Sequence, residues 1–307
     1  MKLLIALGGN ALMDRGSDRT FESQFSVARK AMTGLYSIIQ DHHVVLTHGN
    51  GPQVGDILSR NELPLDGVPG MPLHACGSMS QGLIAEIILN AYYSIQKNGK
   101  PMTAVFTRTV VSEDDPAFSR PTKPVGKYYS EEDVDVLSGK KGLVIRQMPN
   151  GKWRRVVPSP EPIKIMEAET IEILLNSEIV PLCVGGGGTP VSIRNGNFAG
   201  VDAVIDKDLA SSFLAASLRC DMMIILTDVE NVFLNYGKPE QKALTHTTAA
   251  EMESMLASGQ FSAGSMGPKV QAAINFLKKG GKRAVIASLN NAREAVEGKS
   301  GTTITAA

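Results

Sequence analysis

The chain has 307 residues, with 31 lysines and arginines against 31 aspartates and glutamates, and three cysteines. That length buries a full core, as one large α/β unit or two intimately packed lobes, and a net charge of zero argues against a general nucleic-acid or membrane-surface binder. The widely spaced Cys76, Cys183 and Cys220 support neither a disulfide framework nor a zinc site and suit a reducing cytoplasm, and no segment is long enough to span a bilayer.

In chain order, the first predicted element is a strand over 3–7, an apolar run too short for a signal peptide and closed by Gly8-Gly9-Asn10. A helix-period stretch follows over 22–40. The next strand, 44–47, runs into His48-Gly49-Asn50-Gly51, and Gly51-Pro52 opens a helix with Val54, Ile57 and Leu58 at i, i+3, i+4 spacing. Residues 79–95 form a wide apolar helical stripe, part of which suits a two-fold interface. A strand is predicted over 103–111.

From about 112 to 160 the rhythm breaks. This interval holds Pro121-Thr122-Lys123-Pro124, an acidic stretch at 131–135 and Trp153-Arg154-Arg155. The composition predicts an inserted subdomain rising from the sheet edge as a lid, with Leu143-Val144-Ile145 and Val156-Val157 as its apolar pieces. A helix over 165–177 and a strand over 179–184 then lead to Gly185-Gly186-Gly187-Gly188. Asp206-Lys207-Asp208 opens a helix over 209–218, where Asp208 fits an N-cap without excluding a functional role. Strands at 222–227 and 284–288 flank a helix over 268–279, announced by Gly267-Pro268.

Strands alternating with helices specify a mostly parallel sheet covered on both faces, with ligands beyond the carboxyl ends of its strands. All three glycine runs occupy that position. Glycine lets the backbone approach a ligand closely, and amide groups gathered in such turns, or at open helix N-termini, bind anions. Several such cradles on one sheet edge point to phosphoryl chemistry. Other motifs fail: Gly298-Lys299-Ser300 lacks the first glycine of a P-loop, Pro190 breaks the dinucleotide pattern at the tetraglycine, and the five histidines have no metal-ligand spacing.

Taken together, the motifs resemble those of the carbamate kinases, a branch of the amino-acid-kinase superfamily. The matching stretches are Ala6-Leu7-Gly8-Gly9-Asn10-Ala11-Leu12, Thr47-His48-Gly49-Asn50-Gly51-Pro52-Gln53-Val54-Gly55 and Cys76-Gly77-Ser78-Met79-Ser80-Gln81-Gly82. They continue through Asp115-Pro116-Ala117-Phe118, Pro121-Thr122-Lys123-Pro124 and Trp153 to Pro160. The last are the tetraglycine, 203–210, Ile225-Leu226-Thr227-Asp228-Val229 and Gly264-Ser265-Met266-Gly267-Pro268-Lys269.

The resemblance implies a three-layer αβα sandwich with an open, mainly parallel eight-stranded sheet, a protruding inserted subdomain, and a homodimer. It implies an amino-terminal lobe, 1–213, for carbamate or carbamoyl phosphate, and a carboxyl-terminal lobe, 214–307, for the nucleotide. The implied reaction is reversible phosphoryl transfer between ATP and carbamate, with Mg²⁺ arriving on the nucleotide. Lys207 and Lys269 would meet the transferring phosphoryl and the nucleotide phosphates, Asp208 would orient them, and Lys123 would neutralise the small acid as the lid closes. Gly8, Gly9, Asn10, Gly49 and Asn50 would supply N–H donors, with Gly51, Gly186 and Gly187 alongside in the substrate site. Thr227, Asp228, Tyr236, Met266 and Pro268 would line the nucleotide pocket.

Ala6 stands where acetylglutamate kinases carry a lysine, a charge that Lys123 can supply from the insertion. Smaller departures from the family pattern are His74, where an acidic residue is frequent, Ser78 for alanine and Lys127 for proline. The rival readings are another acid-phosphorylating kinase of the same scaffold and a non-catalytic nucleotide sensor.

Overall fold

The computed structural model describes residues 1–9, 12–13, 18–63, 66–262 and 264–307. The strand Lys2–Leu7 sends Leu3, Ile5 and Leu7 to one side and Leu4 and Ala6 to the other, all fully buried. Such a strand is apolar at every position because both faces of its sheet are covered. On the first side it meets Met32, Leu35 and Ile38 of the helix Phe21–Asp41 and Ile84 and Ile88 of the helix Leu73–Ile95. On the second side it meets Leu214 of the helix Lys207–Ser217 and Val270 and Ile274 of the helix Met266–Lys278. The result is a three-layer αβα sandwich.

The central sheet has eight strands in the order His246–Thr248, Thr302–Thr305, Arg283–Ser288, Met222–Thr227, Lys2–Leu7, His43–His48, Val180–Cys183, Met102–Ala104. The last six are mutually parallel, and the two at the far edge run the other way. Four strands from beyond residue 213 therefore lie side by side, then four from before it. The two groups join where Leu3–Leu7 pairs with Met222–Leu226. The division expected at 213/214 falls inside the helix Lys207–Ser217.

The expected 103–111 strand is two strands. Met102–Ala104 closes the main sheet, while Arg108–Val110 joins a four-stranded sheet with Thr189–Arg194, Asn197–Gly200 and Lys164–Ile165. The break has a polar cause. Gln81 donates to the Thr107 carbonyl and accepts from the Thr107 N–H, at 3.0 and 2.9 Å, so a side chain stands in for a strand at that N–H, while the carbonyl also accepts from the Thr189 N–H of the second sheet at 2.8 Å. The expected helix over 79–95 begins earlier, at Leu73, behind Pro72.

The segment 112–160 carries a three-stranded antiparallel sheet, Lys123–Tyr129, Trp153–Val157 and Ile145–Gln147, and the helix Glu131–Lys141, started by a Ser130/Asp133 capping box. Its Val125 and Val157 pack with Val54, Ile57, Leu58, Leu73 and Cys76 in a third apolar cluster. Gly55 and Gly126 meet backbone to backbone, and the Tyr129 hydroxyl donates to Glu62 at 2.9 Å. Lys127 lies 4.0 Å from the same carboxylate and over the Tyr129 ring. The helix Gly51–Asn61 thus carries the insertion on its flank. No described helix is long and apolar enough to cross a membrane.

One buried polar contact fixes the helix Lys207–Ser217 against the sheet: the hydroxyls of Thr47 and Ser211, both fully buried, lie 2.7 Å apart. Removing one hydroxyl leaves the other buried without its partner, which costs about 1–3 kcal/mol, whereas removing both is closer to neutral. Ser211→Ala is expected to lower the unfolding free energy by roughly that amount in urea titrations, and adding Thr47→Val should recover part of the loss. Equal and additive losses in the two single variants and the double variant would show that the hydroxyls are not coupled.

Candidate active site

The three glycine runs follow three strands that neighbour one another in the sheet, Lys2–Leu7, His43–His48 and Val180–Cys183. Gly8 sits against the next strand so closely that a Cβ there would lie 2.7 Å from the Leu226 carbonyl oxygen. Its N–H donates to that oxygen at 3.1 Å, and the Gly49 N–H donates to the Leu7 carbonyl at 3.2 Å. These two glycines therefore provide close approach rather than the free donors expected of them. The Gly187 N–H is likewise engaged by Val184. Among the described residues, none accepts from the N–H groups of Gly9, Asn50 or Gly51. Asn10 lies outside the described residues.

Gly49, Gly9 and Lys207 converge. A Cβ at Gly49 would stand 3.5 Å from Cδ of Lys207 and 3.8 Å from the Gly9 nitrogen. The lysine stem thus runs over the second glycine run, beside the first. The third run joins through Asn50, whose side chain lies within 2.1 Å of where a Gly186 Cβ would be. Asn50 also donates to the Ser80 hydroxyl at 2.8 Å. The turn is left-handed at Val184 and Gly186, at φ 51° and 63°, which strains the valine but not the glycine. Asn50 is the residue before the helix Gly51–Asn61, which has Pro52 in its first turn and no side chain capping its start. That open N-terminus faces the same region and favours anions.

Asp208 is the centre of the site. It is buried and accepts from the Lys269 ammonium at 2.8 Å through Oδ2, and from the Lys207 ammonium through Oδ1. Burial alone would raise the Asp208 carboxyl, but the two lysines outweigh it and hold the group below the usual carboxylate range. The lysines shift in opposite directions. Burial, with the repulsion of Lys269, pulls Lys207 below its ordinary value despite Asp208. Lys269 is raised, because Asp208, helped by Asp206 and Asp228, overcomes burial there.

Lys123, from the insertion, donates to Asp206 Oδ2 at 2.7 Å. Asp206, not Asp208, is the N-cap: its Oδ1 accepts from the Asp208 and Leu209 N–H groups at 2.9 and 3.4 Å. The sequence showed the Asp-Lys-Asp cluster, but the helix starts at Lys207, two residues earlier than its apolar period suggests. That shift moves the cap to Asp206 and frees Asp208 to point at the lysines.

The residues expected around the nucleotide divide into two groups. Thr227 and Asp228 end the strand next to Gly8, with the Thr227 hydroxyl donating to Asp228 at 3.2 Å. Met266 and Pro268 belong to the first turn of the helix that carries Lys269; that helix starts at Met266, so Pro268 is its third residue and not its first. Tyr236 lies further out, 68% exposed on the turn between Val232–Leu234 and Lys242–Leu244, with its ring near Phe233.

Between Asn50, Gly186, Gly188 and the start of the helix Leu73–Ile95 lies a cavity of about 20 Å³, also bounded by His74 and Pro190. No group of three or more metal-ligating side chains occurs among the described residues. Asp206 and Asp208 are both held by lysines.

His48, which the sequence gave no role, underlies the second run. Its buried ring lies against Gly185, where a Cβ would be 2.6 Å from Cε1, and its Nδ1–H donates to the Gly49 carbonyl at 3.0 Å. Burial, with a further push from Lys207, lowers its pKa to about 4, so the ring is neutral at pH 7. Between pH 6.5 and 4 the unfolded chain takes up a proton that the folded ring refuses, so stability falls as the pH falls. The full loss is about 3 kcal/mol. His48→Asn should flatten the change in unfolding free energy between pH 7 and 4.5 by about 2–3 kcal/mol relative to wild type. An unchanged slope would place the histidine in a solvated setting.

The model of the amino acid kinase family matches residues 1–288. A carbamate kinase of Thermoplasma acidophilum is 48% identical over 99% of this chain and 99% of its own length. One from Pyrococcus horikoshii is 46% identical with the same coverage of both. Among solved structures, the carbamate kinase of Giardia lamblia bound to AMP-PNP superposes with a TM-score of 0.92 at 41% identity, covering 99% of this chain and 98% of that one.

Proposed function

The chain belongs to the amino acid kinase family, and within it to the carbamate kinases; on that premise we propose that it transfers a phosphoryl group reversibly between ATP and carbamate, forming ADP and carbamoyl phosphate. The observation that carries the reading is the Lys207–Asp208–Lys269 bridge beside Gly9 and Gly49. In the forward direction a carbamate oxygen forms the new bond to the γ-phosphorus and the bond to the β,γ-bridging oxygen breaks. Carbamate is already an anion, so its attack requires no general base.

The obstacle is charge. Two unit negative charges about 4 Å apart repel by roughly 4 kcal/mol at an effective dielectric near 20. Phosphoryl transfer is catalysed mainly by alignment and by cations placed around the moving group. Lys207 and Lys269 take that part, fixed in direction by Asp208, and the amides of Gly9, Asn50 and Gly51 bind the small acid and the phosphoryl oxygens. Lys123 reaches the small acid from the insertion. As compact point charges, lysines suit this work.

The chain up to about residue 213 holds the acid and the remainder the nucleotide; the meeting of the two parts at the Lys2–Leu7/Met222–Thr227 pair supports that division. Thr227, Asp228, Met266 and Pro268 border the nucleotide, and Tyr236 reaches it from its outer turn. Mg²⁺ travels on the nucleotide phosphates. The reaction runs toward ATP synthesis in the cytoplasm, consuming carbamoyl phosphate from arginine breakdown; three buried free thiols suit that compartment. The enzyme acts as a homodimer, for which the exposed Met79 and Tyr93 of the apolar helix Leu73–Ile95 offer contact surface.

Purified protein mixed with Mg-ADP and carbamoyl phosphate is expected to form ATP, followed by luminescence. No ATP from carbamoyl phosphate, with ATP formed from another acyl phosphate, would turn the reading to a different acid kinase. Lys207→Ala should lower turnover by about two to four powers of ten. Near-wild-type turnover in that variant would remove Lys207 from the transition state.

A further inference from the structure

We propose that His74 is the specificity-determining wall of the small-acid pocket and limits it to acids the length of carbamate; this rests on the reading that the cavity beside Asn50 and Gly186 receives carbamate or the carbamoyl end of carbamoyl phosphate. The cavity, at about 20 Å³, has room for little more than one water molecule. Carbamate has four heavy atoms, so some part of the wall yields when it binds. Most of the wall cannot. Gly186 and Gly188 are buried backbone, and Val54 and Leu73 belong to the cluster that holds the insertion. Pro190 and Ala203 are short. His74 combines a long side chain with partial exposure, 29%.

Three constraints hold the His74 ring where it is. Its Nδ1–H donates to Asp202 Oδ1 at 3.0 Å, and its own backbone N–H donates to the same oxygen at 3.2 Å. Its far edge rests on Gly200, where a Cβ would lie 2.3 Å from Cδ2 and 2.4 Å from Nε2. Asp202 also does for the helix Leu73–Ile95 what Pro72 cannot, because a proline has no side chain to cap the first turn. The imidazole is thus clasped to the segment that leads into Lys207. It can adjust by a small swing about Asp202, and the Gly200 backbone behind its far edge limits how far it retreats from the cavity mouth. A pocket that gives this little accepts carbamate and rejects an acid longer by one methylene.

One methylene against a fixed wall changes kcat/KM by about 10–200-fold. The test measures ATP formation from Mg-ADP with carbamoyl phosphate, acetyl phosphate and propionyl phosphate, for wild type, His74→Ala and His74→Asn. Asparagine can keep the hydrogen bond to Asp202 while removing the far edge of the ring, so it separates the wall from the clasp. The ratio of kcat/KM for propionyl phosphate to that for carbamoyl phosphate is expected to rise at least tenfold in both variants, chiefly through a lower KM for the longer acid. A role confined to holding the helix would spare the asparagine variant and leave its ratio at the wild-type value. If wild type converts carbamoyl phosphate and the ratio stays within about threefold of wild type in the asparagine variant, His74 is not the wall. If wild type makes no ATP from carbamoyl phosphate, it is the assignment of the pocket to that substrate that falls.

Discussion

A single buried carboxylate holds two ammonium groups together at the meeting point of the two halves of the sheet. Without Asp208, Lys207 and Lys269 would repel each other by roughly 4 kcal/mol at 4 Å separation and an effective dielectric near 20, and both would turn toward water. With it, each lysine keeps only about an eighth of its side chain exposed, 13% and 14%. Buried ion pairs seldom add net stability, because desolvating the charges offsets their attraction. The triad is therefore poorly explained as a stabilising device. It is well explained as a means of aiming two cations from different helices at one place.

The topology makes that aim possible. Lys207 opens one helix on the second face of the sheet, and Lys269 lies in the first turn of another; both helices pack there through Leu214, Val270 and Ile274. Their N-termini point to the carboxyl ends of the parallel strands, where Gly8 and Gly49 let backbone approach backbone. The Thr47–Ser211 contact fixes the first of these helices against the strand that ends in His48. His48 in turn holds the Gly49 carbonyl. One continuous chain of contacts thus runs from the sheet interior to the stem of Lys207, and no member of it is a mobile surface group.

The sheet was largely legible in the sequence, because a strand buried on both faces has no polar position and announces itself as an unbroken apolar run. The glycine runs were legible for the same reason, as the turns that end such strands. Two of the misreadings share a cause as well: side chains replaced backbone partners. Gln81 took the place of a strand at the Thr107 N–H, where the 103–111 run divides between two sheets. Asp206 capped a helix that the apolar period alone starts two residues later. Gly8 and Gly49 looked like amide donors, but their N–H groups are taken by carbonyls of adjacent strands that no local pattern displays. His48 and Ser211 were invisible because their significance is a distance across the fold, not a spacing along the chain.

Asp206 ties the insertion to the helix that begins at Lys207. Its Oδ1 caps the helix that begins at Lys207, while its Oδ2 receives the Lys123 ammonium from the insertion. A substrate oxygen near Lys123 must compete with that carboxylate. The pair is weak enough to allow this, because Lys123 keeps 34% of its side chain exposed and solvent screens the attraction. The cap is less easily lost, since Asp206 is itself only 12% exposed and its Oδ1 is bound to two backbone amides. The lysine is therefore the more weakly held partner. If Lys123 meets the acid as proposed, it could leave Asp206 while the cap keeps the start of the Lys207 helix in place, and the insertion would bring its charge without disturbing the two cations held by Asp208.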